Sequence, residues 1–268
     1  MAETLADTRV QEWGPELAVI LGCVEGLTEF LPVSSTAHLI LADHLLHLGE
    51  SEFLKSFEII IQFGAILSVV LLYWSKFWTR EMFLKLVVAF IPTGVIGLTV
   101  YKVVKGYLLG NVTVVLWSLS IGGVLLIVFE RFNKPGVTEA DFSEITYPRA
   151  LLIGVFQSLA MIPGVSRSAA TIIGGSAIGI SRRTIVEFSF LLAVPTMLAA
   201  SVLELVKGQA AIFANGQAGV LALGFVVSFV TAVLAIKSFV AFIKRRDFTA
   251  FGLYRIAVAI AYYFLVVA

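Results

Sequence analysis

Glu25-Gly26-Leu27-Thr28-Glu29-Phe30-Leu31-Pro32-Val33-Ser34-Ser35-Thr36-Ala37-His38 lies inside an apolar stretch running from about residue 16 to 48, and its proline decides how that stretch folds. Proline removes a backbone donor and clashes with the preceding turn, so the stretch is predicted to form two half-helices instead of one rod. A second apolar stretch, from about 150 to 180, is broken in the same way at Pro163 in Ile162-Pro163-Gly164-Val165-Ser166-Arg167-Ser168. Both read as re-entrant helical hairpins. They also resemble each other: Gly22-x-x-Glu25-x-Leu27 and Val33-Ser34 align with Gly154-x-x-Gln157-x-Leu159 and Val165-Ser166 at a constant offset, with a one-residue shift at the prolines. The spans that follow open on Phe57-Glu58 and Glu187-Phe188, which extends the repeat.

The rest of the chain is composed for lipid. Of its 268 residues 59% are hydrophobic and 14% charged, and the mean hydropathy is +0.98, which excludes a water-soluble globule. Six further apolar runs, at about 57–75, 84–101, 111–129, 185–206, 217–240 and 250–268, each approach the ~20 residues a spanning helix needs. The predicted fold is an all-α integral membrane protein, a single polytopic domain over 1–268, with repeat 1 at about 16–130 and repeat 2 at about 150–268. Three spans separate the hairpins, and that odd number places them on opposite faces, so the repeat reads as inverted. A formal charge of +1 leaves no basic field for nucleic acid. One cysteine, Cys23, excludes an internal disulfide. The N-terminus lacks the basic start and apolar core of a cleaved signal peptide and reads as retained.

Basic residues set the orientation, because cytoplasmic loops collect Lys and Arg. Lys76, Arg80, Lys85, Arg131, Lys134, Arg149, Arg182, Arg183, Lys244, Arg245 and Arg246 fall on one predicted face, and only Arg9, Lys55, Lys102, Lys105 and Lys207 on the other. The second hairpin's mouth is therefore expected in the cytoplasm, with the first hairpin and both termini outside. Lys237 and Arg255, within or near the ends of spans, are read as snorkelling to the interface.

Ionisable groups in the bilayer are expensive, which draws attention to Glu25 and Glu29. At i and i+4 they share one helix face just before the break, and two such carboxylates repel unless a cation or donor lies between them. A metal-linked or proton-handling role is favoured over hydrogen bonding that merely fixes the hairpin, and hard oxygen ligands beside a phosphate suit Mg²⁺ or Ca²⁺. A half-helix beginning near Ser34 offers free N–H groups to an anion, and on it His38 stands within a turn of Ser34 and Ser35, the spacing of an activated nucleophile or acid/base pair. Taken alone, the serines read as caps. His44 and His47 read as interfacial, and Glu58 and Gln62 either as groups backing the site or as cap and interface residues.

Arg167 begins the second half-helix with no carboxylate nearby in sequence, so its partner is expected to be Glu25, Glu29 or a bound anion across the repeat interface. A guanidinium fork matches phosphate oxygens, and Ser166, Ser168 and Thr171 can add donors. Both half-helix N-termini then point at one polar midplane site. Such a site fits a ligand with an anionic head and a hydrocarbon tail lying among helices or lipid.

At these residues the sequence resembles the undecaprenyl-diphosphate phosphatases of the bacitracin-resistance type. The resemblance is carried by residues 25–38, by Pro163-Gly164-Val165-Ser166-Arg167-Ser168-Ala169-Ala170-Thr171, by Phe57-Glu58-x-x-x-Gln62 and by Glu187-Phe188-Ser189-Phe190-x-x-Ala193-Val194-Pro195, and it spans essentially the whole chain. It implies hydrolysis of a C55 polyprenyl diphosphate to the monophosphate carrier lipid of peptidoglycan synthesis, with bacitracin resistance as a consequence. It also implies a bacterial inner-membrane enzyme whose active site opens to the periplasmic side. The residues it marks as functional are Glu25, Glu29, Ser34, Ser35, His38, Ser166, Arg167 and Thr171.

The expected mechanism is phosphoryl transfer, with Arg167, the helix N-termini and a divalent cation near Glu25 and Glu29 holding the diphosphate. Ser35 is the preferred nucleophile with His38 or Glu29 as base; a phosphohistidine at His38 and direct attack by metal-bound water are the rivals. Ser34, Ser166, Ser168 and Thr171 are expected to bind phosphate. The other function class that inverted repeats with broken helices describe is a carrier for the lipid phosphate or another organic anion. The partners expected are the polyprenyl diphosphate and the bilayer, without nucleic acid, and a homo-oligomer is compatible with this reading.

Overall fold

Pro15 opens the first helix, α1 (Pro15–Thr28), at a position where its missing N–H has no helical acceptor to lose. With 14 residues α1 is about 21 Å long, short of the ~30 Å hydrocarbon core. The chain then turns through Pro32 and restarts as α2 (Ser35–Leu45). After α3 (Glu52–Phe77), α4 (Arg80–Val103) and α5 (Val112–Phe132), the pattern recurs. A short α6 (Tyr147–Gln157) ends in a 3₁₀ turn, Ser158–Met161, the chain turns through Pro163, and α7 (Arg167–Ala177) follows. Three long helices close the sequence: α8 (Arg182–Lys207), α9 (Ala218–Ile243) and α10 (Thr249–Tyr262), the last running on through a π-helical turn to Val267. This computed structural model describes residues 14–49, 51–77, 79–108, 110–132, 140–207 and 217–267. Among them there is no strand, and six helices of 19 to 26 residues are long and apolar enough to cross a membrane, one for each span predicted. Both predicted breaks fall at their prolines.

The second five helices repeat the order of the first, and the packing exchanges partners between the halves. α1 lies on α9 as its counterpart α6 lies on α4, α3 and α8 pack on each other, and α5 pairs with α10. Aligned glycines allow the exchanged contacts. A Cβ on Gly22 would stand 2.9 Å from the carbonyl oxygen of Gly224 in α9, and one on Gly154 2.0 Å from that of Ala89 in α4.

Aromatic rings fill the centre beneath the two breaks. Phe30 meets Phe190 edge-on with centroids 5.6 Å apart, and Phe190 continues to Phe239 at 6.1 Å. Leu98, Trp117, Val124, Leu234 and Leu253 turn large apolar side chains outward, as a lipid-facing surface requires.

One end of the bundle gathers much of the basic set. Lys85 Nζ donates to the Phe142 carbonyl (2.9 Å) and pairs with Glu81 (2.6 Å), while Lys76 stands over the Phe142 ring. Arg149 donates to the Glu144 carbonyl (2.8 Å), and Arg182 pairs with the buried Glu130 (2.7 Å). Glu130 also accepts from the backbone N–H of Phe248 (3.1 Å), joining α5, α8 and the start of α10. Arg9 and Lys134 lie outside the described residues, as do the side chains of Lys105 and Lys207.

Lys237 is exposed, as expected of a snorkelling side chain. Arg255 is the correction. It is fully buried, because five backbone carbonyls converge on its guanidinium.

Candidate active site

Each break ends on a serine with a positive φ, 73° at Ser34 and 75° at Ser166. Outside glycine this conformation costs on the order of 1–3 kcal/mol and persists only where the surroundings impose it. Part of that imposition is a cap: the Ala37 N–H donates to Ser34 Oγ (3.4 Å) and the Ala169 N–H to Ser166 Oγ (3.2 Å). The capping expected of these serines taken alone is therefore present at both breaks. It aims the first turns of α2 and α7 into a shared cavity.

That cavity holds about 210 Å³ and is lined by Glu29, Ser34, Ser35, Thr36 and Gln62 from one half and by Pro163, Gly164, Ser166 and Arg167 from the other, with Met161 and Met197 among its apolar walls. Glu29 is its hub. Arg167 Nη2 donates to Glu29 Oε1 at 3.0 Å, and Ser35 Oγ donates to Oε2 of the same carboxylate. Of the three partners expected for Arg167, the structure supplies Glu29. The guanidinium is oriented further by Nη1, which donates to the Ser189 carbonyl (2.8 Å), and by the Phe30 ring, 5.9 Å beneath it. Its Nε is buried with no hydrogen-bond partner among the described residues.

The remaining candidates divide. Ser168 and Thr171 are fully buried and outside the cavity lining: Ser168 Oγ donates to the Leu31 carbonyl across the breaks (2.7 Å), and Thr171 Oγ1 lies 2.7 Å from Ser189 Oγ. Glu25 is buried one turn before Glu29, and its Oε1 has no partner among the described residues. Gln62 lines the cavity and accepts from Ser201 (2.7 Å), whereas Glu58 shares a hydrogen bond with Asp43.

His38 departs from expectation. Its Nδ1 lies 2.8 Å from the Ser34 carbonyl and its Nε2 2.9 Å from the Tyr254 hydroxyl, with the two rings stacked at 5.6 Å. The imidazole thus faces a separate, largely apolar cavity of about 680 Å³ that it lines with Leu27, Leu31, Phe239 and Tyr254. An i+3 or i+4 spacing fixes which helix face a residue occupies, but here the Ser34 carbonyl, which also accepts from the His38 N–H (3.2 Å), engages the ring in place of a serine hydroxyl. Of the two bases considered for Ser35, the geometry brings Glu29.

Residues 18–261 match the family described as Bacitracin resistance protein BacA. The chain belongs to that family. Among similar members, an "Undecaprenyl-diphosphatase" of Aquifex aeolicus is 47% identical over 246 residues, covering 91% of this chain and 96% of that one. One of the same name from Persephonella marina is 50% identical over 241 residues (89% and 94%), and one from Flavobacterium johnsoniae 49% over 247 (91% and 92%).

Two residues outside the cavity lining of this BacA chain, missed by sequence reasoning, bond to its neighbours: Ser189 to Arg167, and Arg255 to the carbonyls of Pro32, Gly164 and Val165. Ser189 lies in the segment 187–195 that carries the resemblance, but its contacts with Arg167 and Thr171 join separate helices. Arg255 carried a readable signal, a lone arginine among apolar residues six positions into α10, and was discounted because it lay near a span end.

Proposed function

We propose that this chain hydrolyses undecaprenyl diphosphate to the monophosphate and inorganic phosphate at the cavity between the two breaks. The family and its similar members named undecaprenyl-diphosphatase support the reaction. The observation that carries the site is Glu29, whose two oxygens engage Ser35 from its own break and Arg167 from a residue 138 positions away. This joins a base, a hydroxyl and a guanidinium in one cavity.

In the proposed reaction Ser35 Oγ attacks the terminal phosphorus and passes its proton to Glu29. A bond forms from Oγ to phosphorus, the bond from phosphorus to the bridging oxygen breaks, and the lipid monophosphate leaves with that oxygen. The departing monophosphate takes the proton from Glu29; water, deprotonated in turn by Glu29, attacks the phosphoserine, the bond from phosphorus to Oγ breaks, and that proton returns to Ser35 as phosphate is released. Arg167 Nε and the N–H groups at the starts of α2 and α7 supply donors to the phosphoryl oxygens, where charge is spread in the transition state. Ser34 and Ser166 hold those helix starts in place.

A divalent cation, Mg²⁺ or Ca²⁺, would be held by Glu25 and Glu29. The described residues contain no group of three metal-ligating side chains, so a cation here would complete its shell with diphosphate oxygens and water. The partnerless Glu25 oxygen suits that role. Bound there, the ion would offset the charge of the diphosphate.

Both short helix pairs are taken as re-entrant in an inverted repeat. The Lys/Arg-rich end is assigned to the cytoplasm, and the mouth of the site to the periplasmic side of a bacterial inner membrane. Bacitracin resistance fits the family name.

Phosphate release from polyprenyl diphosphate by purified protein in detergent, where vectorial transport is impossible, tests the reading. Release abolished by Arg167→Ala and by Glu29→Ala supports the phosphatase; intact binding of the lipid without release by the unmodified protein would make the chain a carrier.

A further inference from the structure

Arg255 of α10 is 0% exposed, and each of its guanidinium N–H donors ends on a backbone carbonyl. Nη1 donates to Pro32 (3.2 Å) and Val165 (3.0 Å), Nη2 to Gly164 (2.8 Å) and Ser118 (3.0 Å), and Nε to Leu119 (3.3 Å). A guanidinium has five such donors, so none is left for a phosphate. Three of the acceptors, Pro32, Gly164 and Val165, belong to the two breaks, where the end of a helix leaves carbonyls without N–H partners. The other two lie on α5, which makes room for the side chain: a Cβ on Gly122 would stand 2.1 Å from Nη2. No carboxylate pairs with Arg255 among the described residues.

We propose that Arg255 is a positioning residue of the phosphatase site. By gripping carbonyls of both breaks at once, it keeps Ser35 and Glu29 in register with Arg167 without touching substrate. The inference rests on the phosphatase reading above. The segments it ties together lead directly into the two positive-φ serines, which need an external constraint to persist. Lysine cannot take its place, because its three donors radiate from one nitrogen and cannot span acceptors on three chain segments. A side chain that served only to fill space would change stability and leave turnover by folded molecules unaltered.

The test uses full-length protein in detergent and the variants Arg255→Lys, Arg255→Gln and Gly122→Ala. Turnover of polyprenyl diphosphate is measured per folded molecule, together with hydrogen exchange of the backbone amides at 34–38 and 166–170. The expected result is a fall in kcat of about a hundredfold in every variant, the scale of an ångström-sized misplacement, with KM moving much less. Exchange is expected to accelerate at both segments together while the middle of α8 stays protected. Gly122→Ala keeps the arginine and its charge but displaces the guanidinium, so it reads the geometry even where Arg255 variants fail to fold. A folded variant with kcat within about threefold of the unmodified protein, or faster exchange at one break alone, would overturn the proposal. Unmodified protein that releases no phosphate would instead overturn the phosphatase reading, and the exchange result would still judge the clasp.

Discussion

Glu29 Oε1 and Arg167 Nη2 lie 3.0 Å apart, although their residues are separated by 138 positions and stand on opposite helix breaks. Both side chains are close to fully buried. A buried pair of this kind is a demanding arrangement, since removal of one partner strands the other's charge.

Arg167→Lys tests whether charge alone suffices. A lysine cannot reach Glu29 and the Ser189 carbonyl together, as the guanidinium does. Phosphate release is expected to fall by about a hundredfold with the charge retained. Activity close to that of the unmodified protein, in a steady-state assay, would count against the geometric role.

His38→Ala is expected to be milder than Ser35→Ala. Its loss removes a hydrogen bond to the Ser34 carbonyl, worth about 1 kcal/mol, or roughly fivefold in rate if it is fully expressed in turnover. Ser35→Ala removes the nucleophile and should leave no phosphoryl-enzyme. Equal losses in the two variants would point back to the imidazole.

Arg182→Ala separates fold from chemistry. It leaves Glu130 buried without its ion pair at the basic end of the bundle, and neither residue lines the cavity. Thermal unfolding in detergent is expected to register a loss of about 3–5 kcal/mol, while KM of the folded fraction stays the same.

Chelation addresses the cation. With EDTA present, phosphate release is expected to stop and to return on addition of Mg²⁺ or Ca²⁺, and Glu25→Gln should raise the cation concentration needed for half-maximal rate. Full activity in chelator would remove the cation from the account.

Much of this site was legible because its signals are local. Pro32 and Pro163 interrupt apolar runs that would otherwise be single helices, and the structure breaks at both. Arg167 has no carboxylate near it in sequence, which pointed to a partner on the other broken stretch, and Glu29 is that partner. Less legible was anything decided by backbone groups. His38 was placed on the correct helix, but the carbonyl it binds and the tyrosine it stacks on depend on a positive φ at Ser34 and on α10 lying alongside. Arg255 was misread for the same reason: its acceptors are carbonyls from three distant segments, and main-chain acceptors leave no mark in a sequence.

The most direct test of the central claim is rapid quenching of turnover with polyprenyl diphosphate labelled in its terminal phosphate, followed by mapping of the labelled residue. The account predicts a transient phosphoserine at Ser35 that disappears as phosphate is released, and that fails to form in Arg167→Ala. Label on His38, or phosphate release with no labelled protein at any time, would contradict it.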